Sequence, residues 1–161
     1  MTLDIDVEGW PASTDWAALC ERAREAAERA APELANPRLS ASVLFTSDAE
    51  VQALNREWRG KDQPTNVLSF PMLGRDALLA LTGGVGPDEL LGDIALAYET
   101  CLREAGDKVI AIESHAAHLL IHGLLHLAGH DHINETDAEA MEALETKALA
   151  SMGITDPYGT H

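Results

Sequence analysis

Cysteine is scarce in this chain: Cys20 and Cys101 are the only two among 161 residues. They form no CxxC pair, so neither a disulfide framework nor a thiolate metal site is expected, only two reduced thiols packed in helices. Long apolar runs are missing too. None reaches the ~18 residues that a membrane-spanning helix needs, and no membrane partner is expected. The opening MTLDIDVEGW has no basic n-region and no apolar h-region, which makes the cytoplasm the expected location. Basic side chains are also in short supply, with 11 Lys and Arg against 27 Asp and Glu and a net charge of −16. That sign is wrong for a protein that holds nucleic acid by bulk charge.

The distribution of charge says more than its sum. Residues 1–37 carry 3 basic and 8 acidic side chains, residues 76–161 carry 3 and 15, and residues 38–75 carry 5 and 4. Only the middle stretch is net positive, so a polyanion would be met there, through Arg56, Arg59, Lys61 and Arg75. A hydrophobic content of 46% supports one core, and the length suits a single domain over 1–161.

Leu3, Ile5 and Val7 alternate with acidic residues, the period of a half-buried strand. Ser13-Thr14-Asp15 offers N-caps to a helix over 15–31, read as exposed and amphipathic. Residues 40–46 read as a second strand. Ser47 or Asp48 caps a helix over 48–58 that Gly60 stops. Residues 66–70 read as a short strand closed by Pro71, residues 73–89 as a glycine-rich excursion, and 90–98 as another strand. Two helices follow, over roughly 99–128 with an interruption near Gly106, and over 134–152. The expected fold is α+β: a small mixed sheet of about four strands packed with about five helices.

The chemistry concentrates in HAAHLLIHGLLHLAGHDH, residues 115–132. His122 and His126 are four apart, hence one turn apart on one helix face, and two imidazoles so placed can share one tetrahedral ion. Gly129 falls where the helix should end in a left-handed residue, letting the chain turn back with His132 as third ligand. His130 is the other candidate, but the spacing favours His132. Three histidines leave one position open for water, the arrangement of a catalytic zinc site on a central helix. Nickel or another divalent ion would suit three imidazoles by affinity. A structural zinc is the rival, with Asp131 or a distant carboxylate closing the shell; Asp131 could equally fix an imidazole tautomer from outside it. The spacing is that of the metzincin HExxHxxGxxH pattern except that Gly123 replaces the general-base Glu, which argues against a protease. His118 lies one turn before His122, either lining the site or packed beside it. For His115 and His161 an exposed histidine is the better reading.

HGLLHLAGHDH resembles the H-G-x-L-H-L-x-G-Y-D-H signature of the YbeY-type endoribonucleases, bacterial rRNA maturation factors. Residues 54–71, ending in TNVLSFP, and the LGDI segment 91–94 are similar to two further hallmarks of that family, and 137–149 with MEALE resembles its C-terminal helix. The likeness covers nearly the whole chain in the same order. It implies a metal-dependent, single-strand-specific endoribonuclease of small-subunit rRNA 3′-end maturation and ribosome quality control, with ribosomal RNA and the ribosome or its proteins as partners. His122, His126 and His132 match the metal ligands and Arg59 the active-site arginine. His130 departs from the usual Tyr or Phe. From chemistry alone, the Arg59 guanidinium suits phosphate oxygens and developing phosphoryl charge, against the plainer reading of a solvated helix-end arginine. Arg56 and Lys61 are weaker candidates for substrate contact. Trp58 could stack on a base, but an anchor holding its helix on the sheet is the reading preferred from sequence. Thr65 and Asn66 either bind RNA or cap the turn after Pro64. The rivals to a nuclease are a non-catalytic, zinc-stabilised ribosome assembly factor and a metallohydrolase of another class.

Overall fold

The computed structural model describes residues 1–84, 86–130 and 134–155. His132, Asp131 and His161 lie outside them. The fold is α+β: β1 (Thr2–Val7), α1 (Trp16–Ala30), a 3-10 turn (Pro32–Leu34), β2 (Leu39–Thr46), α2 (Asp48–Arg59), β3 (Val67–Pro71), α3 (Arg75–Ala80), β4 (Glu89–Ala97), α4 (Tyr98–Lys108), α5 (Ile112–Leu127) and α6 (Glu135–Ser151). The sheet order is β1-β2-β4-β3. β1, β2 and β4 run parallel and β3 is antiparallel to β4, so the sheet is mixed, as the sequence implies. Six α-helices rather than about five accompany it among the described residues. No helix among those residues is long and apolar enough to cross a membrane.

The two faces of the sheet differ. Val43 and Phe45 of β2 and Ile94 and Leu96 of β4 point into the main core, which α1, α5 and α6 cover. Ala95 and Ala97, on the opposite face, form a small second core with Leu68 and with Val51 of α2, against which Leu44, Leu54 and Phe70 pack. β1 turns Asp4 and Asp6 to that second face, where both are exposed. Because α5 is sandwiched between sheet and helices, it is apolar nearly all round, as a central helix must be. Helix α1 buries Trp16, Leu19, Cys20, Ala23, Ala26, Ala27 and Ala30, more than its reading as an exposed helix allows. Its alanines let it lie close against α5 and α6.

The local caps follow the sequence. Asp15 accepts a hydrogen bond from the Ala18 N–H, Ser47 accepts from that of Glu50, and Gly60 is left-handed. Two departures have physical reasons. The excursion at 73–89 contains α3, held by its buried Leu78 although it has no side-chain cap. The break between α4 and α5 falls at Val109, not Gly106; Val109 is left-handed (φ 55°) and 89% exposed. A β-branched residue is strained there. Val109→Gly is therefore expected to stabilise the fold by about 1 kcal/mol and raise Tm by ~3 °C in thermal denaturation. An unchanged or lower Tm would show that the turn stores no such strain.

Candidate functional site

Helix α5 carries a stripe of imidazoles at positions 115, 118, 122 and 126. Successive ring centroids along it are 6.3, 6.5 and 4.6 Å apart. The closest pair is His122 and His126, one turn apart and both partly exposed, as expected of two donors that share an ion. Opposite the stripe, α6 supplies Glu145, only 1% exposed. Its Oε1 atom lies 2.9 Å from His118 Nε2 and 2.9 Å from His122 Nδ1. Burial alone would raise the pKa of this carboxyl; the hydrogen bonds and charge of His118 and His122 outweigh burial and hold it down at about 2. An ionised carboxylate only accepts, so His122 donates from Nδ1 and keeps the Nε2 lone pair for a ligand. That is the usual outer support of a metal-bound imidazole.

Glu145 went unread in the sequence. The available signal was a carboxylate on an otherwise apolar stripe of its helix, between Met141 and Ala148-Leu149, which are all buried. His115 corrects an expectation: it is 1% exposed, not on the surface, and its Nε2 lies 2.8 Å from Glu104 Oε1. Glu104 also accepts from Asn66 Nδ2 at 2.9 Å, and Asn66 Oδ1 accepts from the Val67 N–H. Asn66 thus ties the start of β3 to α4. His118 is buried against Glu145, the packed alternative foreseen for it.

Gly123, at the position of the metzincin base, faces the sheet. A Cβ there would sit 3.0 Å from Ile94 Cδ1. A side chain at 123 would enter the core rather than a site, so the missing glutamate reflects where α5 meets β4. The end of α5 is a Schellman turn: the Gly129 N–H donates to the His126 carbonyl, the His130 N–H to that of Leu125, and Gly129 has φ 93°. Arg75 fastens this turn from outside. Its Nη1 donates to the Ala128 carbonyl at 2.6 Å and its Nη2 to Glu33 at 3.3 Å. His130 Nε2 stands 3.8 Å from the same Glu33, a place inside this tie. Among the described residues no group of three His, Cys, Asp or Glu side chains is placed to hold a metal; two imidazoles, one with a fixed tautomer, are the donors in view, and they fit a divalent ion that takes nitrogen ligands.

Arg59 stands elsewhere. It is exposed at the end of α2 and lines a groove of about 780 Å³ together with Trp58, Leu54, Asp6, Ser42, Asp93, Phe70 and Met72. Neither His122 nor His126 lines that groove. α2 and α5 lie on opposite faces of the sheet, and strand β3, at its edge, separates them. Arg56 and Lys61 are exposed near Arg59, Arg56 within 3.6 Å of Asp62. Trp58 does not anchor its helix: it is 68% exposed, because the last turn of α2 overhangs the bare part of the sheet.

Comparison with known proteins agrees with the resemblance. The family described as Endoribonuclease YbeY matches residues 5–153. The chain is 59% identical to the Endoribonuclease YbeY of Erythrobacter litoralis over 160 residues, covering 99% of this chain and 98% of that one. It is 52% identical to the protein of the same name from Novosphingobium aromaticivorans, covering 97% and 95%. The solution structure of a Thermotoga maritima protein superposes with a TM-score of 0.57 at 22% identity, over 99% of this chain and 100% of that one, which supports the fold. With its motifs in order and relatives matched end to end, the chain belongs to the YbeY endoribonuclease family.

Proposed function

We propose that this protein is a cytoplasmic, metal-dependent endoribonuclease that cleaves single-stranded RNA in small-subunit rRNA 3′-end maturation and ribosome quality control. The observation that carries the reading is the pair His122 and His126, one turn apart, with Glu145 fixing the His122 tautomer. These two and His132 would hold one zinc or, by affinity, nickel ion. When bound, the metal supplies Lewis acidity toward a phosphate oxygen and lowers the pKa of a water to ~7.

The chain's own groups do the rest. Glu145 accepts from His122 Nδ1 and so aims the ring through Nε2. Arg59, across β3 from the histidines, offers five N–H donors to the phosphate backbone of the bound strand. Since α2 and α5 flank opposite faces of the sheet, a strand of RNA that meets both crosses the free edge of β3. The nucleophile, water or the 2′-hydroxyl of the RNA, is read from the products: a 2′,3′-cyclic phosphate marks the hydroxyl.

The test is cleavage of a small-subunit rRNA precursor fragment by zinc-loaded protein beside His126→Ala and Arg59→Ala, each checked for folding by circular dichroism. Cleavage should fall at least 100-fold in His126→Ala, and in Arg59→Ala by about ten-fold through a weaker hold on the RNA backbone, a loss made good at higher RNA concentration. Equal cleavage by all three would mark a contaminant and leave a ribosome-binding assembly factor as the function, a role the −16 net charge would suit through protein docking.

A further inference from the structure

The groove beside Arg59 has features that phosphate binding does not use. Its floor is one cross-strand row of the bare sheet face: Ser42 of β2 pairs with Asp93 of β4, which pairs with Phe70 of β3. Leu44 and Ala95 form the next row, and Leu54 and Trp58, one turn apart on α2, make the wall. Asp93 is half-buried in the middle strand, and no hydrogen bond or ion pair reaches its carboxylate among the described residues. Asp6 adds a second carboxylate to the lining. A groove with two carboxylates repels a phosphate from its floor. Arg59, the cation in its lining, is exposed at the end of α2, and Arg56 and Lys61 are exposed close to it in the sequence. That arrangement suits a nucleotide with its phosphate outward and its base inward. A flat ring finds an exposed indole and a phenyl group to lie against, worth a few-fold to a hundred-fold in affinity per base. The volume of about 780 Å³ is ample for one nucleotide.

We propose that this groove is a base-reading subsite for single-stranded RNA, in which Asp93 accepts a hydrogen bond from the exocyclic amine of a base stacked beside Trp58. The inference rests on the endoribonuclease reading above, and adds to it a preference among bases. A carboxylate only accepts. Cytosine offers it the N4 amine, whereas uracil of the same size turns the O4 acceptor toward it and is repelled. Adenine and guanine carry amines as well, so the subsite discriminates most sharply between the two pyrimidines. The cleavage centre and this subsite lie on either side of β3, so the base read here is not the one beside the scissile bond.

Binding of labelled oligo(C) and oligo(U) to the full chain, by fluorescence anisotropy, tests this directly. Trp10 and Trp16 are buried at 5% and 3% exposure and Trp58 is not, so indole quenching reports on the groove in the same titration. The wild type should bind oligo(C) roughly ten-fold tighter than oligo(U) and quench with either. Asp93→Asn, whose amide presents a donor as well as an acceptor, should reduce that ratio to about one with the fold unchanged by circular dichroism. Trp58→Phe should lose the quench and keep the base preference. An Asp93→Asn protein with the wild-type ratio overturns the proposal, as does RNA that binds and is cleaved while Trp58 stays silent, which would leave the groove to another occupant such as a peptide. The absence of both RNA binding and cleavage would overturn the endoribonuclease reading itself, a separate result.

Discussion

Replacing Glu145 with alanine is expected to weaken zinc binding 10- to 100-fold, the usual effect of removing the carboxylate behind a metal-bound imidazole. Two consequences of the same hydrogen bonds combine. His122 loses the acceptor that fixes Nδ1–H, so its ring is free to present either nitrogen. His118, buried on the same Oε1 atom, loses that partner as well. The second loss also costs fold stability, about 3 kcal/mol for a buried pair broken on one side. Glu145→Gln keeps the shape and one acceptor, and should fall between the wild type and alanine on both counts. Competition with a chromogenic chelator measures the first effect and thermal denaturation in EDTA the second. An alanine variant that folds and binds zinc like the wild type would sink the positioning role.

Acid supplies an independent check. The carboxyl of Glu145 titrates at about 2 in the folded chain against an ordinary 4.5. A depressed folded pKa means that its contribution is complete above the unfolded value and is lost as pH falls from about 4.5 toward 2. Glu145→Gln has no such carboxyl. Its denaturation free energy should therefore fall less steeply than that of the wild type across this window, even though it starts lower at pH 7.

Gly92→Ala should be the most damaging single methyl in the sheet. A Cβ at Gly92 would collide with the Phe70 carbonyl oxygen and stand 2.7 Å from Leu127 Cδ2. A leucine tip can swing away, but the carbonyl belongs to the backbone of the paired strand, where Pro71 lies opposite Gly92. Relief requires β3 to part from β4, and the expected cost is about 3 kcal/mol, near the upper end for overpacking. In a chain of this length that lowers Tm by about 10 °C. The double variant Gly92→Ala with Leu127→Ala should recover none of it, because only the yielding half of the clash is removed and a cavity is added. Recovery in the double variant would show that the side chain, not the strand, sets the limit.

Much of this was legible in the residues themselves. Alternation marked β1, Ser47 and Gly60 bracketed α2, and the spacing of His122, His126 and Gly129 foretold a helix, a shared face and a left-handed stop, because each depends on neighbours within a turn. What escaped depends on partners far along the chain. Helix α3 has no cap and exists because Leu78 is buried. Val51, Leu54 and Trp58 share a helical period, yet only the first two pack, because the last turn of α2 stands over an open groove on the sheet. His115 is buried because Glu104, on another helix, receives it. No local pattern revealed that Arg59 and the histidines descend from helices on opposite faces, since that follows from the separate cores that α2 and α5 join.

The Arg75 tie has a further consequence for how the histidine loop is made. The direction in which the chain leaves α5 is set by a guanidinium from residue 75 and a carboxylate from residue 33, both remote in sequence from the motif they serve. A synthetic peptide of residues 112–132 would contain every histidine of the motif and none of this scaffolding. It would chelate as a flexible ligand does, paying the entropy of ordering at the moment of binding. The intact domain fixes the exit of α5 in folding, so its zinc affinity should exceed that of the peptide and fall to the peptide's level on denaturation, although all the donor atoms remain.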